Sequence, residues 1–500
     1  MWNRNGTSCI KIFVFAVLFV TLFARYSSIM IPKFYADNDW PTTSTYLEFY
    51  QMKENTVDVL ILGSSRAVSS FSPQILYDEY GIRSYNLACE EQNLLISYYW
   101  LREALRFQKP KVVILEPHML FEYIEEEPLN TSERCTRKAV DYMKWSPLKL
   151  AAVQDICKHD QEQSVASYLL PALRFHERWN DLKEQDFTNN ESVRFSGLKG
   201  FSPLPERNTD SYNYIEVGAE GEEQESIVPV MREYLDRIVM LCEQEGISLF
   251  LYMAPSRDCS LEKYAAVQAY AEERGIPFVD LNEKSNYEAM NYDYNHDNLI
   301  YNHVNIWGAQ KVTDYIGKMI SEKYNLTGVV DEQWEKTKQR YDLCRQECDL
   351  KYENDFKSYL FRINKLMQNG DYSIIAAVRG DGGKCVDEQT QDMLRALGTK
   401  VNLRGEEGNG YCLLLTDGFS EETTGEEVQY LSGVLRQGKT IYEVKSGGYK
   451  GGNVCSIVID GKEYSPNAVG INWVVYDNAA NKVVDSVAFN THDENIEAVR

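Results

Sequence analysis

Asp58-Val-Leu-Ile-Leu-Gly-Ser-Ser-Arg66 constrains the fold of this chain more than any other stretch. An apolar strand over 57–62 runs into a glycine and two serines, and the following residues are predicted to be helical. Gly63 permits a sharp turn at the carboxyl end of the strand. A serine presented there, near a helix amino terminus, lies where open α/β folds place their chemistry. Far downstream a single histidine, His303, precedes a helical pattern in Tyr301-Asn-His-Val-Asn-Ile-Trp-Gly308. A serine in such a turn can serve simply as a helix N-cap, and such a histidine can simply bond backbone. Together, on two loops that follow strands, Ser65 and His303 read as nucleophile and base.

Around this nucleus the 500 residues are too many for one ordinary domain. The formal net charge of −23, with no basic run beyond the first residues, argues against a nucleic-acid partner, because phosphate binding needs clustered Lys and Arg. Residues 1–33 carry Arg4 and Lys11, then an apolar run from Ile12 to Ala24 that resumes after Arg25 and ends before Pro32. At 1.5 Å per residue, the roughly 20 residues suffice to span a bilayer. The segment has no small-x-small cleavage site, which favours an uncleaved anchor over a cleaved signal. In either case the rest of the chain is expected outside the cytoplasm. The eleven cysteines lack the dense spacing of a disulfide scaffold. One bridge among Cys385, Cys412 and Cys455 is possible. Cys344 and Cys348 have metal-compatible spacing but no neighbouring third ligand, so no metal or organic cofactor is expected.

From about residue 50 to 325, apolar strands (57–62, 84–87, 111–115, 247–252, 277–281) alternate with helical stretches such as 93–107 and 227–245. That pattern predicts a parallel, doubly covered sheet in a flavodoxin-like three-layer α/β/α domain. Residues 120–226 break the rhythm. They read as an insertion that either shapes a substrate cleft or elaborates the surface, with a polar loop over 187–218. Residues 330–369 read as a helical connection. After Gly370 the texture becomes β (372–378, 411–415, 440–445, 454–459, 470–476, 483–489), with one helix over 387–397 and a tight-turn signal at Asp460-Gly461. The last 130 or so residues are therefore expected to be a separate, mostly β module.

Four blocks of the first domain, Leu62-Gly-Ser-Ser-Arg66, Tyr85-Asn-Leu-Ala88, Lys111-Val-Val-Ile-Leu-Glu116 and His303-Val-Asn-Ile-Trp-Gly-Ala-Gln-Lys-Val-Thr313, resemble the SGNH/GDSL hydrolase superfamily. The branch they resemble is the membrane-anchored, outward-facing DltD/AlgJ-like one. The resemblance implies acyl transfer or ester hydrolysis on cell-surface polysaccharide, beside a membrane-bound O-acyltransferase. It places Ser65 as nucleophile and as one oxyanion donor through its own amide. Asn86 and Ala88 fall in the block that supplies another donor, and His303 is the base. Two departures stand out. The family's acid precedes the histidine by three residues, where this chain has Ile300, so Asp297 is the nearest carboxylate able to orient His303, with Asn302 and His296 close by. The family's Gly-x-Asn-Asp block is absent, and Glu116-Pro-His118 ends the third strand instead. A domain without catalysis, acting as a glycan-binding scaffold for the acyltransferase, is the alternative.

In the last domain, Ser446-Gly-Gly-Tyr-Lys-Gly-Gly-Asn453, Ile459-Asp-Gly-Lys-Glu-Tyr-Ser465, Gly470-Ile-Asn-Trp-Val-Val-Tyr-Asp477 and Asp485-Ser-Val-Ala-Phe489 resemble the interleukin-like EMT inducer domain. That resemblance implies a compact β-sandwich-like module that binds carbohydrate. Tyr449 and Trp473 are the candidates to stack on sugar faces, and Asn453 and Asp477 the candidates to bond hydroxyls.

Overall fold

The structure, a computed structural model, describes residues 3–32, 42–182, 186–187, 197–207, 214, 223–299, 302–326, 328, 330–416, 418–435 and 438–500. It divides into two compact units, Met1–Lys338 and Gln339–Arg500. The division falls inside the helix Glu332–Leu350, within the stretch read from sequence as a connection.

Helix Asn3–Met30 contains the span Cys9–Met30, which is long and apolar enough to cross a membrane. Its last turn is anchored in the first unit. Met30 is buried, and the Arg178 guanidinium donates to the Met30 carbonyl at 2.8 Å.

The first unit is built on five parallel strands, β1 (Val59–Leu62), β2 (Ser84–Asn86), β3 (Val112–Leu115), β4 (Ser248–Met253) and β5 (Phe278–Asp280), in the order β2-β1-β3-β4-β5. Each is a short apolar run because the sheet is covered on two faces. Leu60, Leu62, Val113, Leu115, Leu249 and Leu251 join a core with the helices Leu94–Ala104 and Pro229–Glu245. On the opposite face Tyr252 meets Phe71 and the Ser70 hydroxyl, beside the helices Ser65–Ser70, Pro73–Tyr80 and Ile306–Tyr324. This is the expected three-layer arrangement. The strand order reverses between β1 and β3, which opens a crevice at their carboxyl ends. The insertion contributes helices Glu133–Val140, Pro147–His159, Val165–Leu169 and Pro171–Phe175. Most of the polar loop expected over 187–218 lies outside the described residues.

The second unit is a two-sheet sandwich. A six-stranded sheet has the order β10-β9-β8-β15-β16-β17, where β8 is Tyr372–Arg379, β9 Gly410–Thr416, β10 Phe419–Gly425, β15 Gly470–Asp477, β16 Lys482–Phe489 and β17 Ala498–Val499. A four-stranded sheet has the order β11-β12-β13-β14, from Gln429–Leu435, Thr440–Ser446, Cys455–Ile459 and Lys462–Glu463. Ile375, Ala377, Cys412, Leu414, Val474 and Tyr476 face the second sheet. Their neighbours Ile374, Ala376, Val378, Leu413 and Trp473 pack instead against the helices Phe356–Asn369 and Glu388–Leu397. The helix Phe356–Asn369, expected as part of a connection, is thus a core layer of this unit. Asp460 and Gly461 take φ of 47° and 79°, the left-handed pair a two-residue hairpin turn demands. All eleven cysteines are free thiols, so Cys385, Cys412 and Cys455 form no bridge.

Candidate active site

The crevice at the carboxyl ends of β1 and β3 holds a serine and a histidine in contact. Val59–Leu62 is fully buried, so the chain leaves the sheet at a fixed point. Gly63 has φ of +146°, and a Cβ there would lie 2.9 Å from the Glu116 Cβ and 3.1 Å from its carbonyl oxygen. Only glycine relieves the backbone strain and the crowding together. Ser64 then acts as N-cap of Ser65–Ser70, its side chain accepting from the Arg66 amide. The N-cap role and the candidate nucleophile role thus fall on adjacent serines, leaving the Ser65 hydroxyl to face the crevice.

His303 lies on β7 (His303–Val304), which pairs antiparallel with β6 (Asn298–Leu299). Two residues on, buried Asn305 caps helix Ile306–Tyr324 by accepting from the Trp307 and Gly308 amides at 3.0 and 3.1 Å. Its Nδ2 also donates to the carbonyls of Glu206, His296 and Asn298. Held this way, His303 places Nε2 2.9 Å from Ser65 Oγ. With Nε2 as acceptor this is the hydrogen bond a general base needs.

Asp297 is not brought to His303 as its orienting acid. The carboxylate is fully buried and already engaged. Oδ1 accepts from His296 Nδ1 at 2.7 Å, while Oδ2 accepts from Lys311 Nζ at 2.7 Å and from the Asp293 amide at 2.8 Å. It therefore braces the loop before His303. Ile300 lies outside the described residues. Asn302 bridges outward, its Oδ1 accepting from the Tyr294 hydroxyl and its Nδ2 donating to Asp258 Oδ1 at 3.0 Å.

Asn86 is corrected as an oxyanion donor. Its amide donates to the Lys199 carbonyl at 3.0 Å, and its side chain donates to the carbonyls of Ala67 and Phe71. It is a buried tie for the nucleophile helix. Ala88 is fully buried and does not line the crevice.

The crevice is an open cleft of about 320 Å³ lined by Ser64, Ser65, Arg66, Glu91, His118, Met119, Tyr123, Asp258 and His303. Arg66 is ion-paired with Asp258 at 2.7 Å. Beneath the turn, buried Glu116 accepts from the Ser64 hydroxyl and the His118 amide, both at 3.3 Å. Burial pushes its carboxyl up to about 7, although Arg66 opposes the shift. Arg66, Glu91, His118, Tyr123 and Asp258 join the site without a motif that marks them in the sequence. The available signal for His118 was its place just past the end of a core strand, where open α/β folds gather functional residues. Leu62 pairs with Leu115, and the turns that follow these two strand ends carry Ser65 and His118 into the same cleft. Among the described residues no cluster of three His, Cys, Asp or Glu side chains could hold a metal ion.

The four sugar-site candidates separate into two pairs. Tyr449 is 47% exposed, and Asn453 is exposed in the same glycine-rich turn, with φ of 59°. Trp473 and Asp477 are corrected, because β15 is a central strand covered on two faces. Trp473 is fully buried against Phe356, and Asp477 is buried, accepting from the Ala480 amide.

No family model and no curated protein matches the chain. Among solved structures, a proposed acylhydrolase from Bacteroides fragilis NCTC 9343 aligns over 58% of this chain and 99% of its own, at 12% identity and a TM-score of 0.27. A likeness that faint carries no argument about the chemistry.

Proposed function

We propose that the first unit is a serine esterase or O-acyltransferase acting on acylated cell-surface polysaccharide. The observation that carries this reading is the 2.9 Å contact between Ser65 Oγ and His303 Nε2 at the mouth of an open cleft. His303 takes the Ser65 proton as Oγ adds to the ester carbonyl. The tetrahedral adduct then expels the sugar alkoxide, which receives that proton from His303. Water or a second sugar hydroxyl, deprotonated by His303, then adds to the acyl-enzyme carbonyl, and the adduct collapses as Ser65 Oγ leaves with the proton from His303. The sequence resemblance to outward-facing SGNH hydrolases and the apolar helix Cys9–Met30 support a membrane-anchored protein with the two units outside the cytoplasm. The turn bearing Tyr449 and Asn453 is the part of the second unit that supports glycan binding.

Hydrolysis of p-nitrophenyl acetate by the full chain tests the reading. Wild type is expected to turn over, and Ser65→Ala and His303→Ala each to lose at least about 10³-fold in kcat. Turnover unchanged in the two variants would end it. The engagement of Asp297 by His296 and Lys311 favours a second reading, a non-catalytic glycan-binding scaffold for a membrane-bound O-acyltransferase. Under that reading a serine-reactive fluorophosphonate leaves Ser65 unlabelled.

A further inference from the structure

His118 occupies a place in the cleft that its own contacts do not explain. It begins the short turn His118–Leu120 after β3, the strand paired with the one that leads into Ser65. The preceding proline and the bond from its amide to Glu116 Oε2 fix its backbone. The Tyr123 ring meets the imidazole edge-on, 5.5 Å between centroids. The residue is only 6% exposed and lines the same cleft as Ser65 and His303, yet neither Nδ1 nor Nε2 has a hydrogen-bond partner among the described residues. A buried polar group left this way is destabilising unless something it binds relieves it. Packing alone would be served better by an apolar side chain.

We infer that His118 is a catalytic residue whose ring N–H donates a hydrogen bond to the carbonyl oxygen of the acyl group as Ser65 attacks it. This rests on the proposed role of Ser65. As the Oγ–carbon bond forms, the carbonyl π electrons move onto oxygen and His303 takes the Oγ proton. His118 keeps its own proton throughout and meets the new negative charge as a preorganised donor. When the adduct collapses, the carbonyl re-forms, the alkoxide leaves with the proton from His303, and the bond to His118 weakens again. A neutral imidazole has one donor to give. Burial, and then the charges of Arg66, Lys263 and His303, hold the His118 imidazolium well below its usual range, so it does not compete with His303 for the Ser65 proton. Asn86 and Ala88 are turned away and Arg66 is held by Asp258, while His118 brings an unengaged ring to the same cleft.

The test compares wild type, His118→Ala and His118→Gln as full chains, with Ser65→Ala as reference. Three readouts are taken: kinetics on p-nitrophenyl acetate, the rate of Ser65 labelling by a fluorophosphonate, and melting temperature. Gln keeps an N–H donor near the same position. For His118→Ala, kcat is expected to fall ~10²–10³-fold with KM within about threefold of wild type. Labelling should slow in parallel and the melting temperature should not fall. His118→Gln should recover at least about tenfold of the lost kcat. The inference is overturned if wild type and His118→Ala label and turn over alike while Ser65→Ala does neither. It is also overturned if Gln is no better than Ala, or if activity falls only in step with melting temperature. Absence of Ser65 labelling in wild type would instead remove the nucleophile itself, and this role with it.

Discussion

Asp297 shows how one residue's contacts separate a brace from an orienting acid. An acid bonded to the catalytic histidine costs of order 10⁴ in kcat when changed to its amide, with geometry intact. Asp297 instead sets its buried carboxylate against partly exposed Lys311 and holds the His296 ring. Removing that carboxylate leaves partly exposed Lys311 with the Asn291 carbonyl, but deprives the His296 ring and the Asp293 amide of an acceptor, at a cost of about 1–3 kcal/mol. Asp297→Asn is therefore expected to lower the melting temperature by several degrees, while kcat of the protein that remains folded stays within about tenfold of wild type. A loss near 10⁴ at unchanged melting temperature would restore Asp297 as the acid. Its position six residues before His303 was readable in the sequence. Its partners were not, because Lys311 comes from the following helix and reaches back only once the loop has folded.

At the scale of elements, the loop-to-helix junction Asn298–Tyr324 carries the site. Asn305 caps the helix with Oδ1 and ties three carbonyls with Nδ2, so its side chain sets where His303 stands. Losing an N-cap costs about 1 kcal/mol, and each lost buried hydrogen bond about as much. Asn305→Ala should destabilise by about 2–4 kcal/mol by denaturant melting and lower kcat even below the melting range. Asn305→Asp, which keeps the cap alone, should fall between the two. In the second unit strand position decides which aromatics are available. Trp473→Ala is expected to cost about 3–5 kcal/mol of stability through cavity formation. Tyr449→Ala should change stability by less than about 0.5 kcal/mol, and should abolish any binding to immobilised glycan carried by that turn. Equal glycan binding by Tyr449→Ala and wild type would remove the turn as a sugar site. The strands β10 and β11 were not legible, because Phe419–Gly425 is polar and β11 exposes alternate residues; their pairing with β9 and β12 makes them strands.

For the whole molecule, acids buried as the chain folds link its stability to pH. Burial pushes Glu116 up to about 7 and Asp280 up to about 6, the latter against bonds from Asn282. A carboxyl raised on folding binds protons more tightly in the folded state. Its contribution is therefore complete below the ordinary carboxylate range and is lost as pH rises through the folded value. For Glu116 the loss runs from about pH 4.5 to 7 and amounts to about 3 kcal/mol. Glu116→Gln, which keeps an oxygen for Ser64 and the His118 amide, should melt higher than wild type at pH 8 and no higher at pH 4.5. An unchanged difference across that range would show that Glu116 does not titrate there. The linear order of residues determined the parallel sheet, the serine turn, the two-unit division in outline and the pairing of Ser65 with His303. Apolar runs, a glycine at a strand end and β-rich texture act over a few residues and can be read along the chain. Only the tertiary structure decided that Asp297 is a brace, that Asn86 is a tie, that Trp473 is core and that His118 stands beside Ser65. Each of those outcomes depends on what covers a side chain or reaches it from a distant segment, and burial and partnership arise only when distant segments pack.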